Sequence, residues 1–237
     1  VYWSNITSRS IERAPLAGGA IETVFDAGNS SNYLAFVTVP LIRGIALNGD
    51  GTVLYAGDQN YDGILQVDLQ SGNVSSVYLP VSQTPSNLTF ADVDLDEGGN
   101  MLYFLEEETI GEIVYRLGRV ATNGSNPTIL IANNESSGQL QPAGLDLDIH
   151  NDRAFIADRL GGTHEIDLTS LTTSAVGSTS GAFGIGLSYS PSDAQIFYPR
   201  ESAPTGDLQS VSVTDGTVTN YTTVDAGYSL DLLVPKE

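Results

Sequence analysis

Aromatic segments recur along this chain at intervals of about 41 to 52 residues, and that period constrains the fold more than any other feature. VYWSN stands at Val1, LYAGD at Leu54, LYFLE at Leu102, AFIAD at Ala154 and IFYPR at Ile196. They divide the sequence into units of about 1–52, 53–100, 101–152, 153–193 and 194–237. Each aromatic segment is followed by a second alternating run: SIERAPL, GILQVDL, EIVYRLG, THEIDLT and DLQSVSV. A turn rich in Gly, Ser, Thr or Asn leads to a third: IETVF, SSVYLP, TILIA, TSAVG and TNYTTV. After a longer loop comes a fourth: RGIALN, ADVDLD, AGLDLD, GIGLSY and YSLDLL. Short alternating runs between turn residues are strands, and no capped helical stretch stands out. Four strands in each of five units predict an all-β, single-domain, five-bladed β-propeller.

The first unit carries a family resemblance. VYWSN, then SIERAPLAGG, then PLIRGIAL resembles the YWTD repeat of low-density-lipoprotein-receptor-type β-propellers, with Arg43, Gly44 and Ile45 in register. Later units keep the frame with a looser motif, and there are five units where the family has six. The resemblance implies that the GIAL-type strand is innermost and the aromatic strand lies beside it. It also implies protein binding through one face of the disc. On that layout the chain begins on the second strand of a blade. The last strand, 228–234, then supplies the missing innermost strand and closes the ring without a free edge. Tyr2 and Trp3 are expected to pack between neighbouring blades.

Net charge is −20, with one lysine, Lys236, and eight arginines. Such a surface is repelled by nucleic acid and anionic lipid. No apolar run reaches the roughly 20 residues a membrane helix needs, so membrane insertion is not expected. Cysteine is absent, which excludes disulfides, thiolate catalysis and thiolate zinc sites. The chain starts on Val1 and reads as a segment of a longer precursor.

Seven N-x-[ST] triplets, at Asn5, Asn29, Asn73, Asn87, Asn123, Asn134 and Asn220, exceed the two or three expected by chance (~14 × 44/237). The excess points to a secreted glycoprotein. Six of the seven, all but Asn5, fall in or beside the outermost strands, so N-linked glycans are expected on the rim.

Two constellations carry candidate chemistry. Asp58-Gln-Asn60-Tyr-Asp62-Gly63 matches D-x-[DN]-x-[DN]-G, whose alternate oxygens suit Ca2+, although Leu69 stands where an EF-hand has its glutamate. The alternative is an acidic hairpin turn. Asp94, Asp146 and Asp231 occupy one position in three innermost strands, matched to Ala46 and Gly186 in the other two. Carboxylates there either share a cation in the channel or cap backbone amides of a neighbouring blade. His150 and His164 read as surface residues. No nucleophile elbow, zincin motif or phosphate-cradling loop is present.

The sequence therefore reads as a non-enzymatic extracellular propeller. It would bind a protein partner or neighbouring subunits through one face, as part of a larger protein or assembly. The rival readings are a glycan-acting or other hydrolytic enzyme with a divalent ion at the channel mouth, and a carbohydrate-binding lectin.

Overall fold

The computed structural model describes residues 2–15, 19–80, 88–110, 112–134, 141–159, 162–177, 186–200 and 207–220. They form a five-bladed β-propeller of antiparallel sheets. The first blade contributes β1 (Tyr2–Asn5), β2 (Ser10–Arg13) and β3 (Glu22–Asp26), in that order. The second contains β4 (Ile42–Leu47), β5 (Val53–Asp58), β6 (Gly63–Asp68) and β7 (Val74–Tyr78). The third is built from β8 (Leu88–Asp96), β9 (Met101–Ile110), β10 (Glu112–Ala121) and β11 (Thr128–Asn134). The fourth has β12 (Pro142–Asp148), β13 (Arg153–Asp158), β14 (Gly162–Asp167) and β15 (Thr173–Gly177). The fifth has β16 (Ser188–Ser190), β17 (Gln195–Arg200), β18 (Asp207–Ser212) and β19 (Val218–Asn220). The closing strand expected at 228–234 lies outside the described residues.

Within each four-stranded blade the strands follow chain order from the centre outward. β4 packs on β8, β8 on β12 and β12 on β16, which places these four around the central channel. Antiparallel pairing then fixes two faces. We term upper the face where the innermost strands begin and where the second and third strands of each blade are joined. The lower face carries the other two hairpins of each blade.

The core lies in layers between blades rather than in one central mass. Ile11, Tyr33, Ile42, Ile45, Leu54 and Leu65 fill the space between the first two blades, with Tyr2 packed against them. Trp3 instead is half-buried and donates its indole N–H to Glu12 Oε2 at 3.0 Å. Between blades two and three, Tyr78 and Phe104 approach to 4.6 Å between ring centroids, with Phe90 at 5.8 Å from Phe104. Ring pairs at these separations add to the area they bury. Gly118 faces this layer because a Cβ there would lie 2.4 Å from Phe104 Cζ. Leu105, Leu145, Leu147 and Ile156 fill the next layer. Phe155, Tyr189, Tyr198 and Val211 fill the one between blades four and five.

The one α-helical turn among the described residues, α1 (Ser31–Leu34), stands on the upper face between blades one and two. Ser30 caps it by accepting the Tyr33 amide at 3.3 Å. Among the described residues no helix is long and apolar enough to cross a membrane.

Candidate functional site

The channel carboxylates join blades. Asp94 Oδ1 accepts the Leu95 amide at 2.7 Å, while its Oδ2 accepts the Leu147 amide of the next blade at 2.9 Å. Asp146 repeats the arrangement one blade on, taking Leu147 N at 2.6 Å and Tyr189 N at 2.7 Å. Asp92 does the same toward Leu145 N at 2.7 Å. Each carboxylate therefore holds two buried N–H groups, one on each side of a blade boundary, and charged acceptors make the stronger bonds. This is the amide-capping alternative of the sequence reading. Asp92 escaped that reading, although strand alternation in ADVDLD places it on the same side as Asp94. Asp231 lies outside the described residues.

The register corrects one equivalence. Asp94 pairs with Tyr103, Asp146 with Phe155 and Ala46 with Tyr55, whereas in the fifth blade Ser188 pairs with Phe197. Ser188, not Gly186, is the fifth-blade counterpart. Gly186 matches Gly144, where innermost strands come so close that a Cβ on Gly144 would lie 2.6 Å from the Gly186 carbonyl carbon.

Asp58, the first residue of the candidate calcium loop, is fully buried at the upper end of β5. Its Oδ1 accepts the amides of Asn60 at 2.8 Å and Tyr61 at 3.1 Å. Its Oδ2 accepts the Tyr33 hydroxyl at 3.0 Å and the Leu41 amide at 3.1 Å. Burial raises its pKa, and these four donors oppose that rise. Asn60 turns its amide nitrogen to the Val39 carbonyl at 2.7 Å. Asp62 occupies the left-handed region at φ 58°, and its pKa is raised by burial and then by the charge of Asp58. The motif oxygens of Asp58 are thus matched to protein donors. Among the described residues no three His, Asp or Glu side chains converge as an ion site. Asp158 repeats the strand-end bond in blade four by accepting the Gln141 amide at 3.1 Å. In blade three, Glu106 takes that place and accepts from Arg116 at 3.2 Å and from Tyr78 at 3.4 Å.

The segment that Asp58 and Asn60 hold, residues 33–41, is an exposed part of the upper face. Phe36 is 39% exposed and Val39 45%. Tyr61 meets Phe36 edge-on at 5.9 Å. The same Tyr61 ring also packs over Gly63 beside the Tyr78 carbonyl, after which Leu79 stands 53% exposed. Three of the six exposed large hydrophobics among the described residues thus gather on one side of blade two. No sequence pattern marks this patch, since its members stand in separate loops between positions 36 and 79, with the strands of blade two between them. Only the fold brings them together.

The glycosylation candidates spread along the rim. Asn29, Asn73, Asn123 and Asn220 are exposed and flank or end the outermost strands β3, β7, β11 and β19. Asn5 is half-buried at the end of β1, donating to Glu12 Oε1 at 3.0 Å and accepting the Thr7 and Ser8 amides at 3.1 Å. Asn87 and the side chain of Asn134 lie outside the described residues. His164 lies 3.6 Å from Asp158, in from the surface expected for it.

No family model matches the chain. No characterised protein matches it in sequence. Solved structures share its fold. A chain of a nidogen/laminin complex superimposes with a TM-score of 0.67 at 13% identity, covering 92% of this chain and 76% of that one. TolB from Acinetobacter baumannii gives 0.61 at 13%, covering 94% of this chain and 52% of its own. An oligogalacturonate lyase in complex with manganese gives 0.54 at 12%, with 91% and 59% covered. The chain spans about half the length of TolB. At these identities the likeness is one of fold, and one fold serves binding proteins and enzymes alike.

Proposed function

We propose that this chain is a divergent YWTD-type propeller, secreted and N-glycosylated, that binds a protein partner through the upper face of blade two. The observation that carries the reading is the apolar patch of Phe36, Val39, Tyr61 and Leu79, fixed in place by Asp58 and Asn60. Exposed hydrophobics that cluster on a rigid support mark interaction sites, whereas scattered ones carry no message. Aromatic anchors on such patches supply most of the binding energy. A net charge of −20 favours a partner with basic residues around its own apolar centre.

Two further points support the reading. A structure with this fold was solved as a nidogen/laminin complex, a protein–protein assembly. The exposed sequons lie at the outer strands, where glycans would block edge-to-edge pairing and leave the flat faces open for contact. In this account the role is non-enzymatic.

A photo-crosslinking residue at position 39 tests the proposal, with position 171 on the lower face as the control. The expected result in the native extracellular fluid is one defined protein adduct from position 39, lost when Phe36→Asp is added, and none from position 171. Equal labelling from both faces, or no protein adduct from position 39, would contradict the docking face.

A further inference from the structure

The motif aromatic of every blade has a direct cross-strand partner on each of the next two strands, so one face carries a row of three. Blade two has Tyr55, Gln66 and Ser75 in that row, and blade three has Tyr103, Arg119 and Thr128. Blade four has Phe155, Glu165 and Ser174, and blade five has Phe197, Ser210 and Thr219. In blade one the row is Tyr2, Arg13 and Glu22, and only this row carries both a guanidinium and a carboxylate. Its aromatic is also less covered. Tyr2 is half-buried, whereas Tyr55, Tyr103 and Phe155 are buried.

The turn beside this row is longer than its counterparts. Between β2 and β3 it spans residues 14–21, eight positions, against five at 69–73, 168–172 and 213–217. Ala14 and Pro15 extend the wall beyond Arg13, and a Cβ on Gly19 would lie 3.3 Å from Pro15 Cγ. Tyr2, Arg13, Ala14, Pro15 and Glu22 thereby line a cavity of about 310 Å³, half open to solvent, at the lower end of blade one. That volume is at the small end of the range for ligand sites.

The polar groups of the cavity bind each other and keep capacity to spare. Glu22 Oε2 accepts Arg13 Nε at 2.9 Å and Nη2 at 2.8 Å, so among the described residues Oε1 has no donor. Arg13 Nη1 donates to the Tyr2 hydroxyl at 3.4 Å, which leaves the phenolic proton to donate elsewhere. With side chains 50% and 62% exposed, this ion pair adds little to stability, so the fold does not call for it.

We propose that this cavity binds a neutral pyranose sugar. A pyranose offers hydroxyls that donate and accept around its edge and C–H groups on its faces. Glu22 Oε1, Arg13 Nη1 and the Tyr2 hydroxyl answer the edge, while the Tyr2 ring and Pro15 answer a face. Charge selects against the alternatives. The Arg13–Glu22 pair cancels itself, an anion meets the field of a −20 protein, and a cation meets the Arg13 guanidinium. The site stands without the docking reading, which concerns the opposite face.

The test is saturation-transfer difference NMR on the full chain with the methyl glycosides of glucose, galactose, mannose and N-acetylglucosamine. Methyl glucuronide and methyl glucosaminide serve as the anionic and cationic controls. Saturable binding of at least one neutral glycoside is expected, with Kd about 1–10 mM and contact through its ring C–H protons. Both charged controls are expected to bind more weakly. Arg13→Gln and Glu22→Gln are each expected to weaken binding about tenfold, while Tyr61→Ala on the upper face leaves it unchanged. No saturable signal from any neutral glycoside at about 100 mM would overturn the site. So would equal binding of a charged control, or binding unchanged in Arg13→Gln or Glu22→Gln. Were either variant to misfold, the other variant and the wild-type comparison of neutral with charged glycosides would still decide.

Discussion

The Tyr33 hydroxyl donates to Asp58 Oδ2 at 3.0 Å, across 25 residues and from one blade junction to the next hairpin. That bond ties the helical turn on the upper face to the motif strand beneath it. Burial, followed by the neighbouring carboxylate, drives the Tyr33 pKa well above its ordinary value, so the phenol stays a donor at every physiological pH. With Leu41 bound to the same oxygen, Asp58 anchors both ends of the segment that presents Phe36 and Val39. The carboxylate that opens the candidate ion motif thus also holds a loop.

The blade-to-blade carboxylates give a stability prediction. Asp146→Ala leaves the buried amide of Tyr189 without this acceptor, whereas the Leu147 amide keeps Asp94 Oδ2 at 2.9 Å. An orphaned buried N–H costs about 1–3 kcal/mol, so a loss of about 1–3 kcal/mol is expected in urea unfolding. A loss under about 1 kcal/mol would remove the carboxylate from the list of blade couplers.

Leu171 has φ 58° in the lower turn of blade four, where the equivalent turns of blades two and five hold Gly72 and Gly216. The same turn bond, amide to carbonyl four residues back, forms in all three, at 2.8 Å, 2.8 Å and 2.9 Å. A left-handed conformation costs a non-glycine residue about 1–2 kcal/mol, partly offset by the greater freedom of unfolded glycine. Leu171→Gly is therefore expected to stabilise the fold by up to about 1 kcal/mol. Lower thermal stability in the variant would contradict this account of the turn.

Burial depresses the His164 pKa, and the nearby Asp158 only partly opposes it. The unfolded chain then binds the proton more tightly than the folded one. This contribution is complete above the ordinary histidine pKa of about 6.5 and is lost as pH falls through the lower folded value. Between pH 8 and 5.5 the wild type is expected to lose more stability than His164→Gln. Parallel stability curves for the two proteins would show that His164 titrates alike in both states.

Among the described sequons, accessibility ranks the expected glycan occupancy. Asn29, Asn73, Asn123 and Asn220 are exposed and expected to be modified. Asn5, with both ends of its side chain engaged by Glu12, Thr7 and Ser8, is expected to stay bare. Glycopeptide mass spectrometry of native protein decides it; bare asparagine at all four exposed positions would remove much of the case for secretion.

The strands were legible because their period of two repeats in every unit and the aromatic residues mark the same strand each time. GIGLSY misled because it lacks the acidic residues that fix register in ADVDLD and AGLDLD, so Gly186 took the place that belongs to Ser188. The Asp58 loop was ambiguous for a chemical reason. A calcium site and a turn cap both need oxygens at alternate positions, and only the partners tell them apart. The upper-face patch was invisible, because its residues are far apart in sequence and follow no period.

Amide hydrogen exchange across residues 33–41, with and without calcium, is the most direct test of the role assigned to Asp58. The account predicts fast exchange of this segment in Asp58→Ala relative to wild type, with calcium changing neither protein. Slower exchange in wild type on adding calcium, lost in Asp58→Ala, would show instead that the loop holds an ion.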